Sequence, residues 1–139
     1  MRIIGLDVGT RTIGVAVSDP LGLTAQGVTT IRRRDIDRDM QALADIIREY
    51  EAEQILIGLP LNMNGTAGPS VDMAKELGAE AESRLGLPVI YRDERLSTVA
   101  AGRTLLEGDV SRKKRKQVID KMAAVFVLQG YLDYLRNQG

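Results

Sequence analysis

Residues 2–18 have the sequence RIIGLDVGTRTIGVAVS, which predicts two adjacent strands joined by a tight turn. Residues 2–8 are rich in branched apolar side chains, and residues 12–18 alternate between larger and smaller ones, as strands with two different faces do. The turn occupies residues 9–11, and a third strand is predicted at residues 27–31. Three strands with short connections indicate an antiparallel meander.

The rest of the chain alternates between helical and strand patterns. It predicts a helix at 34–50 with acidic residues near its start, a doubly buried strand at 54–59, a loop at 61–68, a helix at 71–85, a short strand at 89–92, and helices at 96–106 and 117–135. This order predicts an α/β fold with a mixed five-stranded sheet, the antiparallel meander first, and helices on both faces. Because neither a repeat nor a linker divides the chain, we expect residues 1–139 to form a single domain.

The composition restricts the chemistry available to this chain. It has 139 residues, of which 44% are hydrophobic, but it contains neither cysteine nor histidine. Disulfides, thiolate ligands, histidine bases and histidine metal ligands are therefore all excluded. Catalysis would depend on carboxylates, hydroxyls, Lys, Arg, backbone groups or a metal held by oxygen ligands, such as Mg²⁺ or Mn²⁺. Since neither a secretory signal nor an apolar membrane span is evident, we expect a cytoplasmic protein without a membrane partner.

Asp7 lies near the end of the first predicted strand, where a carboxylate among apolar residues is costly unless it is paired or bound to a ligand. If the register places Gly14 and Ala16 of the second strand on the same face, they leave open space beside it. Alternatively, the Asp7 side chain caps the turn at Gly9. The sequence leaves both possibilities open.

Two further acidic positions are candidates for the same site. Asp93 and Glu94 follow the fifth strand and should point to opposite faces, so one could enter a site while the other caps the next helix. Asp120 lies within the last helix, on a stripe that continues into small apolar residues. It could instead form surface ion pairs with neighbouring lysines. Because converging carboxylates repel one another, a site built from them would need divalent cations, the arrangement of two-metal phosphoryl transfer.

A basic segment, RKKRK at residues 112–116, precedes Asp120 by a few residues. Such a run is often only a solvated surface, but beside a metal site it suits a phosphate backbone. Arg11, Arg95 and residues 32–34 could extend this patch. Because aromatic residues make up only 4% of the chain, we expect recognition of the backbone and shape more than of the bases.

Four segments together resemble the YqgF family: GLDVGTRTIGVAVSD at 5–19, LIGLPLNMNGT at 56–66, DERLST at 93–98 and KKRKQVIDKMAAVFVLQGYL at 113–132. Members of that family are called pre-16S ribosomal RNA nucleases or Holliday junction resolvases. The resemblance implies a ribonuclease-H-like fold and an acidic catalytic and metal-binding set of Asp7, Glu94 and Asp120. It also implies that Arg95 and Thr98 line the same region. Ser97 replaces the family's usual Thr and keeps the hydroxyl.

The implied activity is hydrolysis of phosphodiester bonds at the immature 5′ end of 16S ribosomal RNA, with resolution of branched DNA as the alternative. The expected partner is therefore nucleic acid, and the protein would act as a monomer or a weak homodimer. Two rival hypotheses are a non-catalytic nucleic-acid-binding module and an ATP-binding domain. The latter follows because GLDVGTRTIGVAV is similar to the first phosphate loop of the actin, chaperone and sugar-kinase superfamily, although those proteins use two such domains.

Overall fold

A five-stranded mixed sheet is the centre of the fold. The computed structural model describes residues 1–62, 64–94 and 112–138, and for residues 112–120 it describes the backbone alone. The strands are β1 (Ile3–Val8), β2 (Thr12–Ser18), β3 (Ala25–Arg32), β4 (Gln54–Leu59) and β5 (Val89–Asp93). The helices are α1 (Ile36–Tyr50), α2 (Pro69–Leu85) and α3 (Arg112–Gln138).

The strand order is β3-β2-β1-β4-β5, with β2 antiparallel to β1 and β3, and β4 parallel to β1 and β5. The predicted mixed sheet with an antiparallel meander first is therefore confirmed. Strand β3 begins at Ala25 and not at the predicted Gly27, because its pairing with β2 continues as far as Ser18. That pairing passes through an irregularity beside Val15, which the sequence pattern does not reveal.

Helices cover both faces of the sheet, as predicted. On one face, α1 and α2 pack on the larger strand side chains, which include Leu6, Val15 and Ile57. On the other face, α3 packs on the strands and forms a second apolar cluster with them. The buried members of that cluster are Ile3, Ala16, Leu56, Ala123, Ala124, Val127, Leu128 and Leu132. The smaller side chains of β1 and β2 therefore face α3.

The helix ends show how local sequence sets the boundaries. Asp35 caps α1 by accepting a hydrogen bond of 2.8 Å from the Arg38 N–H. Helix α2 begins at Pro69, two residues earlier than predicted, and ends at Leu85, where Gly86 caps it with a left-handed φ of 72°. None of the described helices is long and apolar enough to span a membrane.

Helix α3 corrects the prediction that the basic segment precedes the last helix. It begins at Arg112 and not at residue 117, so residues 112–116 form its first turns. The physical reason is that Lys and Arg are good helix formers and neither Gly nor Pro occurs between residues 112 and 117. The helix predicted at residues 96–106 lies outside the described residues.

Candidate active site

Asp7 is a buried carboxylate at the end of β1, with 9% of its surface exposed. It lies opposite Gly14 in the ladder, and Gly5 lies opposite Ala16, so small residues surround it on its own face. A Cβ placed on Gly5 would lie only 3.0 Å from the Leu128 Cβ, so Gly5 faces α3. Because residues two apart in a strand point to the same face, Asp7 faces α3 as well. The register therefore places Gly14 and Ala16 on the same face as Asp7, which was the condition stated for the prediction of open space beside it.

Glu94 reaches the same side of the sheet from the end of β5. A Cβ placed on Gly58 of β4 would lie 2.9 Å from the Glu94 Cγ, 3.0 Å from its Oε1 and 3.1 Å from a Val127 methyl. The Glu94 Oε1 is buried. The Glu94 side chain therefore passes over Gly58, beside the part of α3 that carries Val127.

Asp7 and Glu94 are brought to one edge of the sheet by the parallel strands. Leu6 pairs with Ile57 of β4, so Asp7 and Gly58 are the next residues along two adjacent strands. Because Glu94 lies over Gly58, its carboxylate approaches the strand next to Asp7. The carboxyl ends of parallel strands are a common place for binding sites in α/β sheets.

The structure distinguishes Glu94 from Asp93, which the pattern alone did not. Asp93 pairs with Leu59, and Leu59 packs against the core beneath α1 and α2. Glu94 instead contacts Gly58 on the face of α3. Only Glu94 of this pair therefore lies on the face that Asp7 occupies.

The remaining predicted residues are described only in part. Arg11 is exposed in the turn between β1 and β2. The backbone of α3 includes Asp120 and the basic residues Arg112, Lys113, Lys114, Arg115 and Lys116, but their side chains, like Arg95 and Thr98 altogether, lie outside the described residues. Among the described side chains no group of three acids converges on one point, so the three-carboxylate set stays a prediction.

A buried ion pair holds the turn that follows Asp7. The Arg33 Nη1 donates to the Gly9 carbonyl at 3.0 Å, and its Nε lies 3.3 Å from Asp39 Oδ2. The second Asp39 oxygen accepts the Arg34 N–H at 3.0 Å. Arg33, which the sequence suggested as an extension of the basic patch, is therefore part of a structural network. The signal that could have revealed it is Asp39 itself, an acid on the buried side of α1.

The ladder adds polar residues that the sequence analysis missed. Thr30 lies opposite Gly14, which lies opposite Asp7, so the three residues form one row on the face of α3. Thr12 and Arg32 form the next row. Beyond β1 in the other direction, Arg92 of β5 pairs with Gly58 of β4 and lies on the same face as Asp7. The pairing register between strands determines which residues share a row, and the composition of the chain does not reveal that register.

The donor chemistry on this face fits a hard divalent cation. Asp7 and Glu94 provide carboxylate oxygens and the chain contains neither histidine nor cysteine, so oxygen ligands are the kind available. Mg²⁺ and Mn²⁺ prefer such ligands. A metal-dependent hydrolytic site is therefore compatible with the residues present.

The solved structures define the class of fold. Thermus thermophilus RuvC in complex with a Holliday junction substrate matches with a TM-score of 0.67 at 14% identity, over 99% of this chain and 96% of that chain. The fowlpox virus Holliday junction resolvase matches with a TM-score of 0.55 at 16% identity, over 100% of both chains. These likenesses confirm the predicted ribonuclease-H-like fold.

The particular family follows from the sequence. A family model described as RuvX, Holliday junction resolvase, matches residues 1–134, and the chain belongs to this family. A relative from Moorella thermoacetica is 57% identical over 139 residues, covering 100% of this chain and 99% of the relative. A relative from Clostridium botulinum is 59% identical over 133 residues, covering 96% of this chain and 97% of the relative. Both are named "Putative pre-16S rRNA nuclease", which confirms the resemblance to the YqgF family.

Proposed function

We propose that this chain is a metal-dependent nuclease that hydrolyses phosphodiester bonds during 5′-end maturation of precursor 16S ribosomal RNA. The observation that carries the proposal is the presence of Asp7 and Glu94 on one face, where β1 and β5 end. The names of the full-length relatives support the nuclease class and the RNA substrate. We further propose that residues 1–139 form one nuclease domain that acts in the cytoplasm.

The packing of α3 on the sheet supports a third carboxylate in this site. Leu128 and the Ala124 carbonyl lie against Gly5, and Val127 lies against Gly58. The described part of α3 that follows Asp120 therefore packs on the face of the sheet that carries Asp7 and Glu94.

Asp120 belongs to the same helix. Its backbone lies one turn before Ala124, which packs on Gly5, and Asp7 lies two residues beyond Gly5. The backbone placement supports the assignment of Asp120 to the acidic set with Asp7 and Glu94. The three would hold Mg²⁺ or Mn²⁺, which relieves their mutual repulsion.

Each part of the chain then has a defined task in hydrolysis. When bound, the metal polarises the scissile phosphate and makes water a stronger nucleophile. The carboxylates would hold the metal and so fix the position of the reacting groups. The water oxygen forms a new bond to phosphorus and gives up a proton, the bond from phosphorus to the 3′ oxygen breaks, and the 3′ oxygen takes up a proton. The products carry 3′-hydroxyl and 5′-phosphate ends.

The nucleic acid would be held mainly through its phosphates. The proposed contacts are Arg11, Arg95, Thr98, Arg112, Lys113, Lys114, Arg115 and Lys116. Because the chain has formal net charge +0, this binding relies on the local concentration of cations and not on the overall charge. Affinity should therefore fall steeply with salt.

Resolution of branched DNA is the second candidate, and the description of the family model favours it. A resolvase that cuts two strands symmetrically requires a homodimer, whereas trimming one RNA requires only a monomer. The oligomeric state on each substrate therefore distinguishes the two candidates.

The decisive experiment compares cleavage of precursor 16S RNA and of a four-way DNA junction by the purified protein, with Mg²⁺, Mn²⁺ or a chelator. Asp7→Asn and Glu94→Gln should lower the rate by about 100-fold or more, because a catalytic metal contributes several kcal/mol. Asp93→Asn is the matched control, since Asp93 faces away from α3. Metal-dependent cleavage that survives both Asp7→Asn and Asp120→Asn would contradict the catalytic assignment.

A further inference from the structure

A cation and an aromatic ring meet on the face of the sheet that carries Asp7 and Glu94. Arg92 pairs with Gly58 and lies two residues before Glu94, on the face covered by α3. Its guanidinium carbon lies 5.4 Å from the centroid of the Tyr134 ring, near the end of α3. The Tyr131 ring follows at 6.3 Å from Tyr134, tilted by 42°.

The Arg92 guanidinium has hydrogen-bonding capacity that the described protein groups do not use. Its Nε is buried, and within the described part of the chain no group accepts a hydrogen bond from it. A buried N–H without an acceptor is costly and rare in folded proteins. A guanidinium group also matches the geometry of a phosphate.

Tyr134 provides an accessible surface next to that cation. The residue is 42% exposed, and Leu135 beside it is equally exposed. Exposed aromatic rings stack the bases of unpaired nucleic acid, and arginines beside them add cation–π contributions.

A second arginine–tyrosine pair in the chain has a different character. The Arg2 guanidinium lies 5.7 Å from the Tyr50 ring, but its Nη1 donates to the Tyr50 carbonyl at 3.2 Å. Arg2 also precedes β1, whereas Asp7 lies at the other end of that strand. The Arg2 pair is thus internally satisfied and remote from the acids, which makes it a matched control.

We propose that Arg92 and Tyr134 bind an unpaired nucleotide of the substrate on the sheet face that carries Asp7 and Glu94. Tyr134 stacks on the base, and the Arg92 guanidinium contacts the phosphate. A base within a duplex is already stacked on its neighbours and cannot offer its face, so the site selects single-stranded over paired segments. This inference rests on the proposed function, because it takes nucleic acid as the ligand.

The test measures binding in chelator, where cleavage does not occur. The probes are an RNA hairpin with a single-stranded 5′ extension and the same hairpin with a blunt end. Tyr134→Ala should weaken binding of the extended hairpin by about 5-fold to 150-fold, as loss of one stacked base does. It should leave the blunt hairpin unaffected, and Tyr134→Phe, which keeps the ring, should retain the affinity for both.

Arg92 is tested through the salt dependence of the same equilibrium. Arg92→Met should lower the slope of log affinity against log salt by about 0.7, the value for one phosphate contact with a single strand. Arg92→Lys keeps the charge and should preserve the slope, and Arg2→Met should leave it unchanged. Circular dichroism confirms that each variant is folded.

The outcomes separate this inference from the proposed function. If Tyr134→Ala and Arg92→Met bind both hairpins as the wild type does, or weaken both equally, the unpaired-nucleotide site is overturned. It is also overturned if the wild type does not prefer the extended hairpin. If the wild type shows that preference but cleaves neither RNA nor DNA with metal, the nuclease proposal fails while the binding site stands.

Discussion

At the scale of single residues, Gly58 controls where the Glu94 carboxylate lies. A methyl group there would meet the Glu94 Cγ and Oε1 at 2.9 and 3.0 Å and a Val127 methyl at 3.1 Å. Gly58→Ala should therefore displace Glu94 and lower the cleavage rate by about 100-fold, since a shift of about 1 Å can have that effect. Overpacking should also lower the free energy of unfolding by about 1–3 kcal/mol. Cleavage kinetics and urea denaturation measure the two effects.

The control for this substitution is Gly78→Ala on the opposite face of the sheet. A Cβ on Gly78 would meet the Tyr91 ring and the Ile57 side chain, so it crowds the core without touching Glu94. This variant should lose stability but retain the cleavage rate per folded molecule. Equal losses of rate in both variants would show that Gly58 does not act through Glu94.

Asp39 supports the turn after Asp7 from a distance. Asp39→Asn removes the charge that pairs with Arg33 at 3.3 Å, where the Asp39 side chain is 3% exposed. Breaking a buried ion pair should lower the free energy of unfolding by about 3 kcal/mol. Asp45→Asn in the same helix breaks an exposed ion pair with Arg48, whose atoms are 3.8 Å apart. It should change the free energy of unfolding by at most about 1 kcal/mol. Similar changes for both variants, measured by denaturant titration, would contradict this account of the Arg33–Asp39 pair.

Single residues also show what the sequence could predict. Asp7 could be predicted as a candidate site residue because a carboxylate in an apolar strand is costly unless it is paired or bound to a ligand. Glu94 and Asp93 were indistinguishable, because a strand alternates its faces and nothing local says which face the site occupies. Arg92 was missed because its position depends on contacts between β5 and α3, two elements whose packing no local pattern encodes.

At the scale of elements, α3 combines two segments of different character. Its first five residues are basic, and its first turn contains no acidic residue. Its later part carries the small buried residues that allow close packing on Gly5. The sequence pattern placed the start at residue 117 because the apolar periodicity begins there, whereas helix formation by Lys and Arg requires no apolar stripe.

The basic start of α3 leads to a prediction about binding and stability together. Lys113→Ala with Lys114→Ala should weaken nucleic-acid binding and lower the salt slope by up to about 1.8 on duplex substrates, at 0.9 per phosphate. Thermal stability should stay equal or rise slightly, because cations at a helix N-terminus oppose the helix dipole. Salt titrations of binding and thermal unfolding test both parts. Unchanged affinity would show that the basic segment is only a solvated surface.

At the scale of the whole molecule, the fold was predictable because its connections leave few alternatives. A meander followed by alternating helices and strands requires β4 and β5 to join the sheet in parallel, with helices as crossovers. That topology gathers the ends of β1, β4 and β5 at one edge. The sequence alone did not specify the register between strands, and therefore did not specify which side chains surround Asp7.

The acids collected at this edge should make the stability of the whole molecule depend on metal. A ligand present at 100 times its Kd stabilises the folded state by about 2.7 kcal/mol, which raises the Tm of a domain of this size by roughly 10 °C. Mg²⁺ or Mn²⁺ should produce such a rise in the wild type, as measured by calorimetry. Asp45→Asn, far from the site, should respond in the same way.

Asp7→Asn should remove most of this rise in Tm. With metal, it should gain little, because an anionic ligand has been lost. An equal rise in Tm for wild type and Asp7→Asn would place the responsive metal site elsewhere in the chain and remove the physical reason for a carboxylate at this position.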